Sequence, residues 1–532
     1  MSNKSSRLVR LSLWGTGLKS GLAAIAAAFV FANLTPATAQ PPAAPPAAEA
    51  PAAAPEAVPP AEAAAPAPEA APAAEPAADA TTPFVDKGDT TWMLVSTILV
   101  LLMILPGLAL FYGGLVRTKN MLSMLMQVSV VTVIGMISWV FWGYSLAFTG
   151  GPEGLNPFVG GLSKLFLAGV GTGSNVESFT PDAIFPELVF ICFQMTFACI
   201  TAALVLGGVA ERVKFAGVVI FSFLWPILSY YPMAHMVWWW SGATSAVGQS
   251  MDAINGGAGF IWAQGALDFA GGTVVHINAG IAALVGCLVL GKRLGYKQQP
   301  MQPHNLVWTF TGAGLLWVGW FGFNAGSNLE SNGYAGLAMI NTLVATAAAG
   351  LSWTIAEWVL RGRPSMLGMA SGIVAGLVAV TPAAGFAGPV GAIVLGLVVS
   401  PICLIFCSLI KNALKYDDSL DAFGIHGIGG IVGAIGTGIL VSPDLGGAGL
   451  IDWAKCAHGT GGALGACDVL PYAMTDQVIA QLKGVAVTIV WSGVASTIVW
   501  VVIKVLTGGR VKQEVEEEGI DINEHGEAAY HP

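Results

Sequence analysis

Eleven apolar stretches constrain what this chain can become, at about residues 91–115, 122–148, 185–208, 215–239, 268–290, 304–326, 335–360, 366–386, 388–411, 422–441 and 477–506. Each is near or above the roughly 20 residues that a helix needs to cross a lipid bilayer. Apolar residues make up 55% of the chain and charged residues 10%, values that exclude an ordinary soluble domain. The sequence therefore predicts an all-α polytopic membrane protein, with the lipid bilayer as solvent for most of its surface. The formal charge of −9 says little about partners, because the charge sits in tails and loops, and nothing reads as a nucleic-acid site.

The ends of the chain have their own composition. Lys4, Arg7, Arg10 and Lys19 flank or precede an apolar core at 21–33 that is too short to span comfortably, and Ala37-Thr38-Ala39 before Gln40 fits a small-x-small cleavage site. Residues 1–39 are expected to be a signal peptide, which exports the mature N-terminus across a bacterial-type envelope. Residues 40–90 form an Ala/Pro-rich periplasmic linker, too poor in large apolar side chains to bury a core and extended by its prolines. The membrane domain takes residues 91–506. A cytoplasmic tail follows at 507–532, acidic and polar enough that composition alone reads it as disordered.

An odd number of spans puts the two mature ends on opposite sides. The cations agree. Arg117, Lys119, Arg212, Lys214, Lys292, Arg293, Lys297, Arg361, Arg363, Lys411, Lys415, Lys504, Arg510 and Lys512 fall in segments of one side. The other side holds only Lys87, Lys164 and Lys455, with Lys483 near the start of the last span. The positive-inside rule then places the N-terminus outside and the C-terminus in the cytoplasm of an inner-membrane protein.

Of the seven cysteines, Cys192, Cys199, Cys287, Cys403 and Cys407 lie in apolar runs and read as small hydrophobes. Cys456 and Cys467 share the outer loop before the last span, where an oxidising compartment permits a disulfide. Geometry decides between that bond and two free thiols. There is no CxxC pair and no zinc spacing, so no metal site is expected.

One span is chemically unusual. Residues 265–280 read GALDFAGGTVVHINAG, with an aspartate, a glycine pair and a histidine in a helix that should face lipid or other helices. Ionisable groups at such depth are costly and point to function. Asp268 is near one end, and His276 lies roughly 12 Å further along the helix. The tenth span carries a similar pair, Asp421 and His426. The first span ends LPGLALFYGGLVRTKN (105–120) and the sixth LLWVGWFGFNAGSN (315–328). Five spans separate each pair, and five is odd. This predicts a pseudo-twofold inverted repeat of five helices each plus a final helix, a transporter architecture with the pathway at the repeat interface.

Each histidine alone is compatible with a ring satisfied by a neighbouring carbonyl. Two on equivalent helices can line a narrow path and pass a proton, because an imidazole donates at one nitrogen and accepts at the other. Bis-histidine haem ligation is the rival, but other haem cues are lacking and no cofactor is expected. Asp268 could attract a cation by its field or cap its own helix, and the two roles are compatible. The AHMVWWW run (234–240) fits the interfacial aromatic belt, or a cation–π cup in which an indole face replaces part of an ion's hydration. Phe193 and Phe197 share a helix face, as do Phe323 and Ser327, with Trp320 one turn earlier. Such rings are core packing or a dewetted gate, with Ser327 as a hydroxyl acceptor just outside it. No nucleophile–base set appears at a spacing suited to an enzyme.

At this point the chain resembles the ammonium transporter (Amt/Rh) family, in its bacterial Amt branch. DFAGGTVVHINAG at 268–280 is similar to the family signature, and FYGGLVRTKN, FQMTFACIT, SYYPMAHMVW, GWFGFNAGSN and FGIHGIGGIVG follow the family order. The tail sequence EEEGIDINEHGEAAY resembles the regulatory tail of bacterial members. The resemblance implies a homotrimer of eleven-helix subunits, each with its own pore for ammonium/ammonia or methylammonium. It implies an outer recruitment site at Phe197, Trp238 and Ser327 supported by Asp268, a gate at Phe197 and Phe323, and twin pore histidines at His276 and His426. It also implies a PII-type nitrogen signal protein that docks at the cytoplasmic face. The outer loops at 241–267 and 442–476 look longer than in compact members, and the Ala/Pro linker is outside the family pattern.

Overall fold

The computed structural model describes residues 83–457 and 467–530. The expected signal peptide, most of the linker and the last two residues of the tail lie outside the described residues.

Among the described residues, eleven helices are long and apolar enough to cross a membrane: α1 Lys87–Leu115, α2 Thr118–Phe148, α3 Glu187–Val209, α4 Phe215–Trp238, α5 Gly272–Leu290, α6 Leu306–Asn328, α7 Gly333–Arg361, α8 Met366–Ala383, α9 Pro389–Leu414, α10 Phe423–Leu440 and α11 Met474–Thr507. The protein is an all-α polytopic membrane protein, and the helices fall on the apolar runs of the sequence. α3, α5 and α8 are the most enclosed by protein, whereas α9 and α11 face outward over more of their length. Ile98, Val307, Val390, Val490 and Val505 are exposed apolar side chains on the rim. In water such a surface would be an association hazard, but lipid tails solvate it.

The structure gives the repeat a sharper register. α5 and α10 both open with a π turn, Gly272–Ile277 and Phe423–Gly427, and both turns carry the histidine. Such turns recur at functional sites because they re-aim side chains. A buried aspartate precedes each. Asp268 accepts from the N–H groups of Gly271 (2.8 Å), Gly272 (2.6 Å), Thr273 (2.8 Å) and Val274 (3.2 Å). Asp418 accepts from those of Ala422 (3.0 Å), Phe423 (2.8 Å) and Gly424 (3.4 Å). Each satisfies the free donors at a helix start and complements its dipole. The counterpart of Asp268 is therefore Asp418 rather than Asp421. Both capping aspartates lie eight residues before their histidine. Asp421 is partly exposed, has φ +61°, and pairs with Lys411.

The two repeat helices touch where they leave their histidines. A Cβ at Gly280 would run into the backbone of Gly427, so glycine is what permits this approach of α5 to α10.

On the side where α11 ends, a buried charge cluster ties the loops together. Glu211 accepts from Arg293 Nη1 (2.6 Å), Arg117 Nε (2.9 Å), Arg117 N (2.8 Å) and Asn120 Nδ2 (2.9 Å). Arg293 also forks onto Asp417 (2.8 and 3.0 Å). Burial works to raise the Glu211 carboxyl, but Arg293 and Arg117 outweigh it and hold the group down to about 2. A depressed carboxylate contributes stability above its unfolded value of 4.5 that is lost as pH falls through about 2. We expect the native protein in detergent to lose ~3 kcal/mol more stability across that window than Glu211→Gln, read as the difference between their thermal midpoints against pH.

The tail departs from its composition. Asp521 accepts from Leu122 N (3.0 Å) and Ser123 N (2.7 Å) at the start of α2, and Glu524 accepts from Phe215 N (2.6 Å) at the start of α4. Glu516 takes Leu294 N (2.7 Å) and pairs with Arg510 (2.6 Å). Ile520 is buried beneath them. Acidic side chains that look purely solvating in sequence find helix starts to cap, and this docks the described tail on the loops.

On the opposite side, β1 (Phe84–Val85), β2 (Asn175–Glu177) and β3 (Ala183–Pro186) form a small sheet in the order β1-β3-β2. The linker's last residues are thus part of the folded unit. β4 (Leu450–Asp452) and β5 (Asp468–Leu470) form an antiparallel hairpin. A Cys456–Cys467 disulfide closes it, which resolves the pairing that the sequence left open.

Candidate functional site

A file of aromatic rings crosses the middle of the bundle. α3 supplies Phe193 and Phe197, whose centroids are 4.8 Å apart. α6 supplies Phe323, which stacks on Phe197 at 4.1 Å and 12°. Trp238, at the end of α4, meets Phe197 edge-on at 6.0 Å. Beyond the phenylalanine pair, His276 lies 6.1 Å from Phe323 and 5.4 Å from Trp320, centroid to centroid. His426 stacks on His276 at 5.4 Å and 19°, with Nδ1 to Nδ1 at 3.3 Å. α5 and α10 bring the two rings together because their π turns sit at the repeat interface.

The passage is narrow and almost wholly apolar. A void of about 10 Å³ lies among Phe111, Leu204, Val275, Trp320, His276 and His426. That is about the space of one small molecule. Phe193, Phe197 and Phe323 are fully buried, so the stacked pair closes the passage on the Trp238 side. On the tail side, His426 borders a wider cavity of about 410 Å³.

The two histidines share one Nδ1–Nδ1 hydrogen bond, in which one ring donates and the other accepts. Nε2 of His276 has no hydrogen-bond partner among the described residues. A buried imidazole nitrogen left open beside a void is a hydrogen-bonding point for a small polar solute.

Ser327 sits one turn past Phe323 and donates its hydroxyl to the Phe323 carbonyl (2.7 Å). This commits its proton and leaves its oxygen as an acceptor. Asp268 is buried behind the passage, with its carboxylate filled by donors of its own helix start. Its carbonyl accepts from Trp238 Nε1 (2.9 Å), which fixes the indole. The sequence-level site residues are thus gathered around one axis, with Asp268 as a positioning group. Trp320 against His276 was visible in the sequence only as a neighbour of Phe323. Asp418 was missed, although the repeated eight-residue spacing to histidine would have found it.

His235 is different. Its two ring nitrogens face the carbonyls of Ala147 (3.0 Å) and Asn156 (2.6 Å), so it braces a loop away from the passage.

A bundle of eleven spans built as an inverted repeat, with a ring-lined passage that meets a wide cavity at one end, defines a membrane transport protein. The family model described as Ammonium Transporter Family matches residues 91–530, and the chain belongs to that family. Relatives named as ammonium transporters are 42% identical over 446 residues in Aquifex aeolicus, covering 84% of this chain and 94% of the relative, and 41% identical in Bacillus subtilis, covering 84% and 99%. The crystal structure of Saccharomyces cerevisiae Mep2 is similar with a TM-score of 0.67 and 31% identity, covering 82% of this chain and 90% of that one.

Proposed function

We propose that this chain moves ammonium across the bacterial inner membrane by recruiting NH4+ at an outer mouth, removing a proton, and passing ammonia through the twin-histidine passage. The observation that carries this reading is the order of the rings: a fully buried Phe197–Phe323 stack followed directly by the hydrogen-bonded His276–His426 pair. The Trp238 side is the outer one, in keeping with the cation bias, and the tail side is cytoplasmic. Residues 1–39 are then a cleaved signal peptide and 40–90 begin the periplasmic side.

Ammonium is a cation with four N–H donors. Ser327 offers an acceptor oxygen, and the faces of Trp238 and Phe197 offer cation–π attraction of ~2 kcal/mol when desolvated, enough to recruit an ion without trapping it. Carrying the intact cation through an apolar void costs several kcal/mol, because burial disfavours the charged form. Ammonia carries no such cost and can accept or donate at the imidazoles. Potassium has no proton to lose and is rejected by the same passage.

We assign the working form as a homotrimer with one passage per subunit, as the family resemblance implies. The docked tail and the wide inner cavity suit a PII-type signal protein as the cytoplasmic partner. Proteoliposomes of the purified protein are expected to take up labelled methylammonium faster than protein-free vesicles, with unlabelled ammonium competing. Uptake equal to that of empty vesicles would remove the reading.

A further inference from the structure

The inverted repeat makes the two mouths comparable atom by atom. At the outer mouth, the carbonyl of Asp268 accepts from Trp238 Nε1 at 2.9 Å. At the inner mouth, the carbonyl of Asp418 accepts from Lys411 Nζ at 3.1 Å. Asp268 and Asp418 are the capping aspartates of α5 and α10. Trp238 ends α4 and Lys411 lies near the end of α9, again five spans apart. Lys411 therefore stands where Trp238 stands in the other half. One mouth presents an indole, which attracts cations. The other presents an ammonium group, which is itself a tethered analogue of the substrate cation.

The surroundings of Lys411 point the same way. It is mostly buried and also pairs with the Asp421 carboxylate. Lys411, Asp421 and His426 line the same inner cavity of about 410 Å³. Four cations (Arg293, Lys297, Arg361, Lys411) and two carboxylates (Glu357, Asp421) line that cavity, and Arg293 is matched from behind by Glu211 and Asp417. Glu357 is held by Arg361, and Asp421 by Lys411. Both lining carboxylates are therefore already paired with a cation of the protein itself.

We propose that Lys411 is a specificity-determining residue of the inner mouth: its ammonium group occupies Asp421 and excludes cytoplasmic NH4+ from the passage, which biases engagement of the cation to the Trp238 side. This rests on the pore reading above and adds direction to it. Ammonia released inward and reprotonated meets carboxylates already paired with Lys411 and Arg361, so the product is weakly held and leaves into the cytoplasm. Re-entry starts from a mouth where the Lys411 ammonium group already stands in the cation's place.

The test uses the full-length protein in two vesicle preparations, inverted ones that present the inner face and right-side-out ones that present the outer face. The reading is the half-saturating ammonium concentration at each face. Lys411→Met leaves Asp421 free, and its inner-face half-saturation is expected to fall about tenfold, a change of ~1.4 kcal/mol. The outer-face value should stay native. Lys411→Arg keeps the charge and should match the native protein at both faces. Asp421→Asn keeps Lys411 and removes its partner, and should raise the inner-face value severalfold. It supplies an independent arm if Lys411→Met does not reach the membrane. Native inner-face values in both Lys411→Met and Asp421→Asn would overturn the proposal. So would an equal shift in Lys411→Met and Lys411→Arg, since packing and not charge would then be responsible. Absence of transport by the native protein at either face would instead overturn the pore reading.

Discussion

Proteoliposomes bearing His276→Asp are expected to carry potassium current where the native protein carries none. In the native passage, both central side chains are imidazoles that share one hydrogen bond and meet Trp320 and Phe323. Nothing there balances a permanent positive charge, and a buried cation costs several kcal/mol. A carboxylate at position 276 supplies a fixed opposite charge. At about 4 Å and an effective dielectric of about 20 the attraction is ~4 kcal/mol, which offsets most of that cost. A barrier lowered by this amount raises ion passage about a thousandfold. Potassium, which has no proton to lose, can then cross as the intact ion. His426→Asp should act in the same direction. Unchanged selectivity in a folded His276→Asp protein would count against deprotonation as the basis of discrimination.

The second large effect is expected at Asp268. Its two carboxylate oxygens serve four backbone N–H groups and the Thr273 hydroxyl at the start of α5. Its carbonyl separately holds Trp238. An amide has one acceptor oxygen and brings two N–H donors toward groups that are already donors. Asp268→Asn therefore leaves buried N–H groups unpaired, at about 1–3 kcal/mol each. The loss falls on the π turn that carries His276, so geometry at the passage should fail together with stability. We expect Asp268→Asn to lower the thermal midpoint of the solubilised protein and to cut methylammonium uptake more than tenfold. Asp268→Glu should keep more stability than transport, because the longer side chain can still accept but displaces the turn. Native uptake in a stable Asp268→Asn protein would show that the cap does not position the site.

Much of the fold is legible because the lipid environment is a harsh filter. A span of about 20 apolar residues leaves the backbone little choice, so all eleven helices could be placed from composition alone. The aromatic and histidine residues of the passage were also accessible, since polar or stacked groups at depth are rare and therefore informative. Register was harder. Asp421 resembled a counterpart of Asp268 because it lies close to His426, whereas the capping function falls to Asp418, three residues earlier. Only the helix start, where unpaired N–H groups collect, decides which aspartate is used. The docking of the tail is hidden in the sequence for a related reason. Glu516, Asp521 and Glu524 look like a solvated acidic run until distant helix starts and Arg510 are brought beside them. The Lys411–Trp238 correspondence was also beyond the sequence, because it depends on which side chain reaches an aspartate carbonyl in each half.

The central claim is that the passage conducts nitrogen as ammonia after taking it up as ammonium. Ammonium-triggered current in proteoliposomes, recorded with and without a large excess of potassium, tests this most directly and also follows the proton if it travels along the histidines. Paired measurement of methylammonium uptake covers the case in which the proton returns outward. Ammonium-dependent transport is expected to persist undiminished in potassium, and potassium alone to evoke no current. Potassium current through the native protein, or loss of ammonium transport in its presence, would contradict it.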